Sequence, residues 1–303
     1  MYFNAKTDWK MQKLWYNISM KNEKLCSICP RHCNIDRNKV KGFCNETKKI
    51  RISKIIPNFQ WEEPCITGKK GALAIFFSGC NLRCDYCQNF EISRGGVGQK
   101  YTIDEFVKLI EENQNKNSFV DLITPTHFSN EIALAYEKIN KKIPVVWNTN
   151  SFETVENIEK VSKFVDIFLA DLKYANDEMA KEFSKCDNYF SVSKKAILKM
   201  CEEKPDKFEN ENNMIQGVII RHLVLPGYIE NSFKVLDTIK ENFADRKISL
   251  MSQFTPNGHG KLNRKLKPIE YKAVLAHLEK LGLTNGYFQD FESADSCFVP
   301  KFV

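Results

Sequence analysis

From about residue 70 onward, short apolar runs alternate with segments of helical periodicity, and this alternation leaves few folds open to the chain. The runs at 72–77, 119–124, 144–148, 165–171, 216–223 and 247–252 are rich in Ile, Val, Leu and Phe, as strands covered on both faces must be. A seventh candidate lies at 287–291. Between them, Thr102-Ile-Asp-Glu105 reads as a capping box, followed by the helical stripe Ile103, Phe106, Val107 and Ile110. Further helices fit 130–140, 154–163, 177–184, 191–201, 231–243 and 268–281. Repeated strand–helix units predict parallel strands. Six or seven of them predict an α/β fold of partial (β/α)6 type, an open relative of the eight-unit barrel. The polar run 201–213 reads as an exposed loop. Residues 1–66 show little periodicity and are expected to form a small module of their own, with the barrel over 67–303.

The loop after the first apolar run carries Cys80-Asn-Leu-Arg-Cys84-Asp-Tyr-Cys87. Three thiolates at this spacing hold three irons of a [4Fe-4S] cluster and leave the fourth iron open to a small chelating ligand. A structural zinc takes four protein ligands and fits this triplet poorly. A second group, Cys26-Ser-Ile-Cys29-Pro-Arg-His-Cys33 with Gly42-Phe-Cys44, has a full set of four ligands. It satisfies either a structural zinc or a complete second [4Fe-4S] cluster, with Pro30 and Gly42 setting the turns. So short a segment lacks a core of its own, so a metal staple is expected there. The chain has 11 cysteines, an odd number, and seven fall in these two groups, which favours metal binding over disulfides. Cys65 is a spare ligand near the second group, while Cys186, Cys201 and Cys297 read as packing residues. An open iron site is easily oxidised, so an anaerobic or strongly reducing setting is expected.

Lys and Arg number 45 against 38 Asp and Glu, a net charge of +7, with no block of five like charges. This is a solvated lysine-rich surface, not a nucleic-acid footprint. No apolar stretch approaches the roughly 20 residues that span a bilayer, and Met1–Asp8 has no signal-type apolar core. A cytoplasmic location is the expectation.

Ligand sites in such folds gather at the C-terminal ends of the strands. Those ends carry Thr124-Pro-Thr-His127, Asn148-Thr-Asn150, Asp171-Leu-Lys173, Arg221-His222 and the run Ser252–His259. His127 and His222 read equally well as structural histidines.

The triplet with Tyr86 before its last cysteine resembles the signature of the radical S-adenosylmethionine (SAM) enzymes. Asp171-Leu-Lys-Tyr-Ala-Asn-Asp177, Trp147-Asn-Thr-Asn150 and Ile220-Arg-His-Leu-Val-Leu-Pro-Gly227 are similar, in order and rough spacing, to segments of pyruvate formate-lyase activating enzyme. The similarity spans about residues 70–260. Cys26–Cys33, Glu62-Glu63-Pro64 and Phe76–Cys84 resemble the PflX-like, or pyruvate formate-lyase activating enzyme-like, iron–sulfur proteins. The resemblance implies a radical SAM oxidoreductase with a [4Fe-4S] cluster on Cys80, Cys84 and Cys87. SAM would be bound among Tyr86, Thr124, Thr126, Asn148, Asn150, Asp171 and Arg221, with Asp171 and Lys173 in catalytic positions. Thr124-Pro-Thr-His127 replaces the Gly-Gly-Glu-Pro type segment of the activating enzymes. Asn148 replaces the aspartate of their monovalent-cation site, so that cation is not carried over. The implied partners are a flavodoxin- or ferredoxin-type reductant and a substrate, with no nucleic acid and no membrane.

Three functions compete at this stage. The first is an activase that makes a glycyl radical in a partner enzyme. The second is radical modification of a small molecule or peptide. The third, of a different class, is a non-catalytic iron–sulfur electron carrier or sensor. The open iron and the polar strand ends weigh against the third.

Overall fold

The computed structural model describes residues 25–210, 212–291 and 302. Its ten strands, in chain order, are β1 (Ile50–Phe59), β2 (Ala72–Phe77), β3 (Gln99–Tyr101), β4 (Phe119–Ile123), β5 (Val145–Thr149), β6 (Ile167–Asp171), β7 (Lys207–Asn210), β8 (Asn213–Leu223), β9 (Lys247–Met251) and β10 (Gly286–Phe288). The helices are α1 (Phe90–Ser93), α2 (Ile103–Asn113), α3 (Ser129–Tyr136), α4 (Val155–Val161), α5 (Asp177–Ser184), α6 (Tyr189–Glu203), α7 (Ile229–Phe243) and α8 (Pro268–Lys280). None of the described helices is long and apolar enough to cross a membrane.

The sheet runs β10-β9-β8-β6-β5-β4-β2-β1-β3, with β7 paired to β8 alone. β2, β4, β5, β6, β8, β9 and β10 are mutually parallel neighbours, so the repeated units form an open α/β sheet as expected. β2, β4 and β5 are buried along their whole length, and so are the first four residues of β6. That explains why these strands read as continuous apolar runs rather than alternating ones. The capping box forms: Thr102 Oγ1 accepts from the Glu105 N–H at 3.2 Å, and Glu105 Oε2 accepts from the Thr102 N–H at 2.7 Å. α2 then buries Phe106 and Ile110 in the main core beside Phe77 and Phe128.

Three strands, β1, the three-residue β3 and β7, carry too little pattern in the sequence to mark them as strands. β1 pairs antiparallel with β2 and with β3, so residues 50–59 add an antiparallel edge to the parallel sheet. Its period-2 pattern shows in the buried Ile50 and Ile52, then ends where Pro57 lies within a register shift between Ile56 and Phe59. The expected loop at 201–213 instead holds β7, which forms a hairpin with the start of β8. All four β7 residues are exposed, so no apolar pattern marks it. Asn210 Oδ1 accepts from the Asn212 N–H at 3.1 Å in the turn between them, the local chemistry that Asn brings to turns.

Candidate active site

A cavity of about 640 Å³ opens at the C-terminal ends of the parallel strands. Its wall includes Cys80, Cys84 and Cys87, then Thr124, Asn148, Asn150, Asp171, Lys173 and Arg221, with Glu62 and Glu63 from the segment after β1. The strand ends expected to carry the site therefore converge on one space, and the cysteine loop closes one side of it.

The cysteine loop is anchored from several strand ends. Asn150 donates from Nδ2 to Asn81 Oδ1 at 2.8 Å and to Cys80 Sγ at 3.4 Å. Asn81 donates to the Phe152 carbonyl at 2.7 Å, and the Leu82 N–H points at Cys80 Sγ at 3.4 Å. Cys84 Sγ lies 2.9 Å from Ser184 Oγ, which continues to Tyr174 (2.6 Å) and from there to Tyr86 (2.7 Å). Tyr86, Tyr174, Phe183, Tyr189 and Phe254 form an aromatic bed beneath this chain of hydroxyls. Burial pushes the Cys80 thiol up to about 11 and the Cys84 thiol up to about 12.

A charged fork lines the same cavity. Arg221 donates from Nε to Asp171 Oδ1 (2.7 Å), from Nη1 to Glu62 Oε2 (2.9 Å) and from Nη2 to Asn148 Oδ1 (2.8 Å). It thus ties β5, β6, β8 and the 62–64 segment together through the planar geometry that a guanidinium supplies. Lys173 Nζ binds the other Asp171 oxygen at 2.5 Å. Burial opposes ionisation of Asp171, but Arg221 and Lys173 outweigh it and hold the carboxyl down at about 2. Burial pushes Glu62 up to about 7 against the pull of Arg221. Tyr189, at the start of α6, accepts from the Lys173 N–H, and its single hydroxyl proton is shared between the carbonyls of Asn150 and Asp171, both at 2.9 Å. It bridges the ends of β5 and β6 through main-chain atoms, so no motif marks it.

Thr124 ends β4 with a φ of 59°, a left-handed conformation that a β-branched residue rarely adopts and that concentrates at functional sites. Its N–H donates to the Asn148 carbonyl at 2.9 Å. Thr126, expected beside it, does not line the cavity. It is buried, and its hydroxyl donates to Glu153 Oε1 at 2.7 Å. Glu153 also receives Trp147 Nε1, Thr149 Oγ1 and Asn157 Nδ2. This fully buried carboxylate locks the turns after β4 and β5, and its sequence context gives no sign of it.

The two histidines face away from the cavity. His127 Nε2 bonds the Ser78 carbonyl at 2.7 Å, and burial drives its pKa down to about 3. His222 Nδ1 bonds the Leu172 carbonyl and Nε2 bonds Ser232 Oγ, at 2.8 and 2.9 Å, with burial lowering its pKa to about 4. An unfolded imidazole protonates near 6.5. Between 6.5 and about 4 the unfolded chain therefore binds more protons, so stability falls as pH drops through that window. The urea midpoint should decline between pH 6.5 and 4, and His222→Asn should flatten that slope. An equally steep profile in the variant would remove His222 as a cause.

Cys297 lies outside the described residues. Cys65 is fully buried in a cluster with Ile66 and Phe119, and Cys186 is buried under the aromatic bed.

The sequence model of the Radical SAM superfamily matches residues 74–245. An uncharacterized protein of Methanocaldococcus jannaschii is 30% identical over 278 residues, covering 86% of this chain and 76% of that one. Among solved structures, the chain is similar to Streptococcus suis SuiB bound to its precursor peptide SuiA (12% identity, TM-score 0.48, 70% of this chain and 46% of that one). It is also similar to a domain of pyruvate-formate lyase-activating enzyme from Bacteroides vulgatus (14% identity, TM-score 0.36, 62% and 91%). The chain thus spans about half the length of SuiB. The matched region begins within β2 and ends just beyond α7, so it takes in the cysteine loop and every strand end up to Arg221: the chain belongs to the radical SAM superfamily.

Proposed function

We propose that this protein is a radical SAM enzyme that cleaves SAM reductively and abstracts a hydrogen atom from a bound substrate, in the manner of activating-enzyme-like members. One observation carries the reading. The three-cysteine loop and the Asp171–Lys173–Arg221 array line a single cavity.

Membership of the superfamily implies a [4Fe-4S] cluster and SAM as cofactors. The residues present fit both. Cys80, Cys84 and Cys87 supply three thiolates on one short loop, and the donors at Leu82, Asn150 and Ser184 stand beside two of the sulfurs. The strand ends supply carboxylate, ammonium and hydroxyl groups for a zwitterionic nucleoside. A cluster held by these thiolates would supply the single electron that reductive cleavage of a carbon–sulfur bond of SAM requires. The chain itself binds, orients and excludes water. Lys173 stands close enough to Cys80 and Cys84 to act on both electrostatically, so its ammonium would suit an anionic group bound next to the cysteine loop. Asp171, kept ionised by Arg221, suits a hydroxyl or ammonium donor.

Two substrate classes are compatible with this site, and the first is a glycine loop of a partner enzyme. A second reading, a small molecule or peptide, draws on the apolar wall of Phe59, Trp61 and Tyr287 in the same cavity, whose size lies in the range of small-ligand sites.

Lys173→Ala and Asp171→Ala test the array. Both should keep the iron content of the wild type and lose roughly a hundredfold in hydrogen abstraction, the scale on which a misplacement of about 1 Å acts. Wild-type turnover in both variants would reduce the pair to a surface-type ion pair. A glycyl-radical doublet in the EPR spectrum of a partner enzyme would decide for the activase, and deuterium transfer from a small substrate into 5′-deoxyadenosine would decide for the second reading.

A further inference from the structure

We propose that Cys26, Cys29, Cys33 and Cys44 ligate a second [4Fe-4S] cluster, packed directly against the loop that holds the first. The four residues come from one run of turns before β1, and the fold draws them together. The Cys26 N–H donates to the Ile35 carbonyl at 2.9 Å, and the Asn34 N–H donates back to the Cys26 carbonyl at 3.0 Å. The Phe43 N–H points at Cys33 Sγ at 3.4 Å. A side chain begun at Gly42 would already touch both Cys44 Sγ and Cys33 Sγ, at 3.5 and 3.6 Å, so that glycine keeps the space between the two sulfurs clear.

The backbone around them is strained. His32, Asn34 and Asn45 have φ values of 41°, 51° and 61°, left-handed conformations held by three non-glycine residues flanking the ligand positions. Strain of this kind persists where the surroundings over-determine it, as at ligand clamps. The sulfurs are also graded in exposure: Cys29 and Cys44 are buried, whereas Cys26 and Cys33 reach partly into solvent.

The choice between zinc and a cluster follows from spacing. Structural zinc draws four sulfurs into one tetrahedron, commonly from paired C-x2-C knuckles. Here only Cys26 and Cys29 form such a knuckle. Four thiolates spaced C-x2-C-x3-C-x10-C along one run of turns suit a cubane, with one sulfur per iron.

The inner face of this group meets the radical-cluster loop. The Cys44 carbonyl oxygen stands 2.4 Å from where a Cβ on Gly79 would lie, and Gly79 precedes Cys80. Only glycine, with its φ of 85°, fits there. Arg31 donates from Nε to the Asn81 carbonyl at 2.8 Å, and Arg83 donates to the Phe43 carbonyl at 2.5 Å. Both guanidinium groups also lie over the Phe43 ring, 3.8 and 5.0 Å from its centroid. The Cys29–Cys44 segment and the segment between Cys80 and Cys84 are thereby clasped, which sets the second group of cysteines beside the first.

Metal analysis on the full chain tests this. The Cys80→Ala, Cys84→Ala, Cys87→Ala triple variant is reconstituted anaerobically with iron and sulfide, with zinc also supplied. About four irons per chain, and an EPR signal on dithionite reduction, are the expected result. One zinc per chain, or no bound metal, overturns the proposal. Should the triple variant not fold, the otherwise unaltered chain gives the same decision: Cys26→Ala with Cys33→Ala should lower iron from about eight to about four per chain. Iron content that does not change with those two substitutions overturns it.

Discussion

Replacing Cys80, Cys84 or Cys87 singly with alanine should abolish SAM cleavage altogether. Each sulfur occupies a different position on one loop, and a site-differentiated cluster has no spare ligand to lose. The loop offers no substitute: the other cysteines described near it, Cys44 and Cys186, lie in separate environments, one among the N-terminal cysteines and one buried among aromatic side chains. The loop itself should keep its shape in these variants, because Asn81, Asn150 and the Phe152 carbonyl hold it independently of the sulfurs. The variants are therefore expected to fold, to bind fewer irons after anaerobic reconstitution, and to form no 5′-deoxyadenosine above background by chromatography. Retained cleavage in any one of them would remove that cysteine from the site.

The largest effect on stability should come from Arg221→Ala. The guanidinium is nearly buried and holds Asp171, Glu62 and Asn148 at once. Its loss leaves two carboxylates facing each other and Glu63 across the strand ends, with Lys173 as the cation still bonded to Asp171. Breaking a buried ion pair by removing one partner costs about 3–5 kcal/mol. The unfolding midpoint followed by circular dichroism under anaerobic conditions should fall accordingly. Arg221→Lys should recover only part of it, since an ammonium cannot serve three acceptors in a plane. The sign of the pH response is also set. Asp171 titrates near 2 in the folded chain against an ordinary 3.8, so its contribution is present above 3.8 and is lost as pH falls toward 2. Arg221→Ala should weaken that acid dependence. An unchanged midpoint would mean that the fork is not what joins these strand ends.

The parallel half of the fold was legible because its strands are covered on both faces. Continuous apolar runs such as Ala72–Phe77 and the capped helix at Asp177–Ser184 stand out without any knowledge of partners. β1 and β7 were not, because an edge strand broken near Pro57 and a fully exposed hairpin arm carry little apolar periodicity. The same logic divides the site. Asn148, Asp171 and Arg221 sit at strand ends, where the fold class itself aims side chains at a cavity. Glu62 arrives from a loop before the first parallel strand, and Tyr189 acts on backbone carbonyls from a helix start, so neither spacing nor residue type announced its partners. Thr124 and Thr126 are two residues apart and look alike in sequence. Only the left-handed turn at Thr124 separates the one that faces the cavity from the one that binds Glu153.

A cluster in this cavity is expected to cleave SAM rather than merely to store an electron. The most direct measurement is anaerobic incubation of the reconstituted full chain with SAM and dithionite, with methionine and 5′-deoxyadenosine quantified together. Equal amounts of the two products, both absent from the Cys80→Ala variant, are the predicted result. A protein that binds and reduces its cluster yet leaves SAM intact would contradict the account and return the chain to the electron-carrier class.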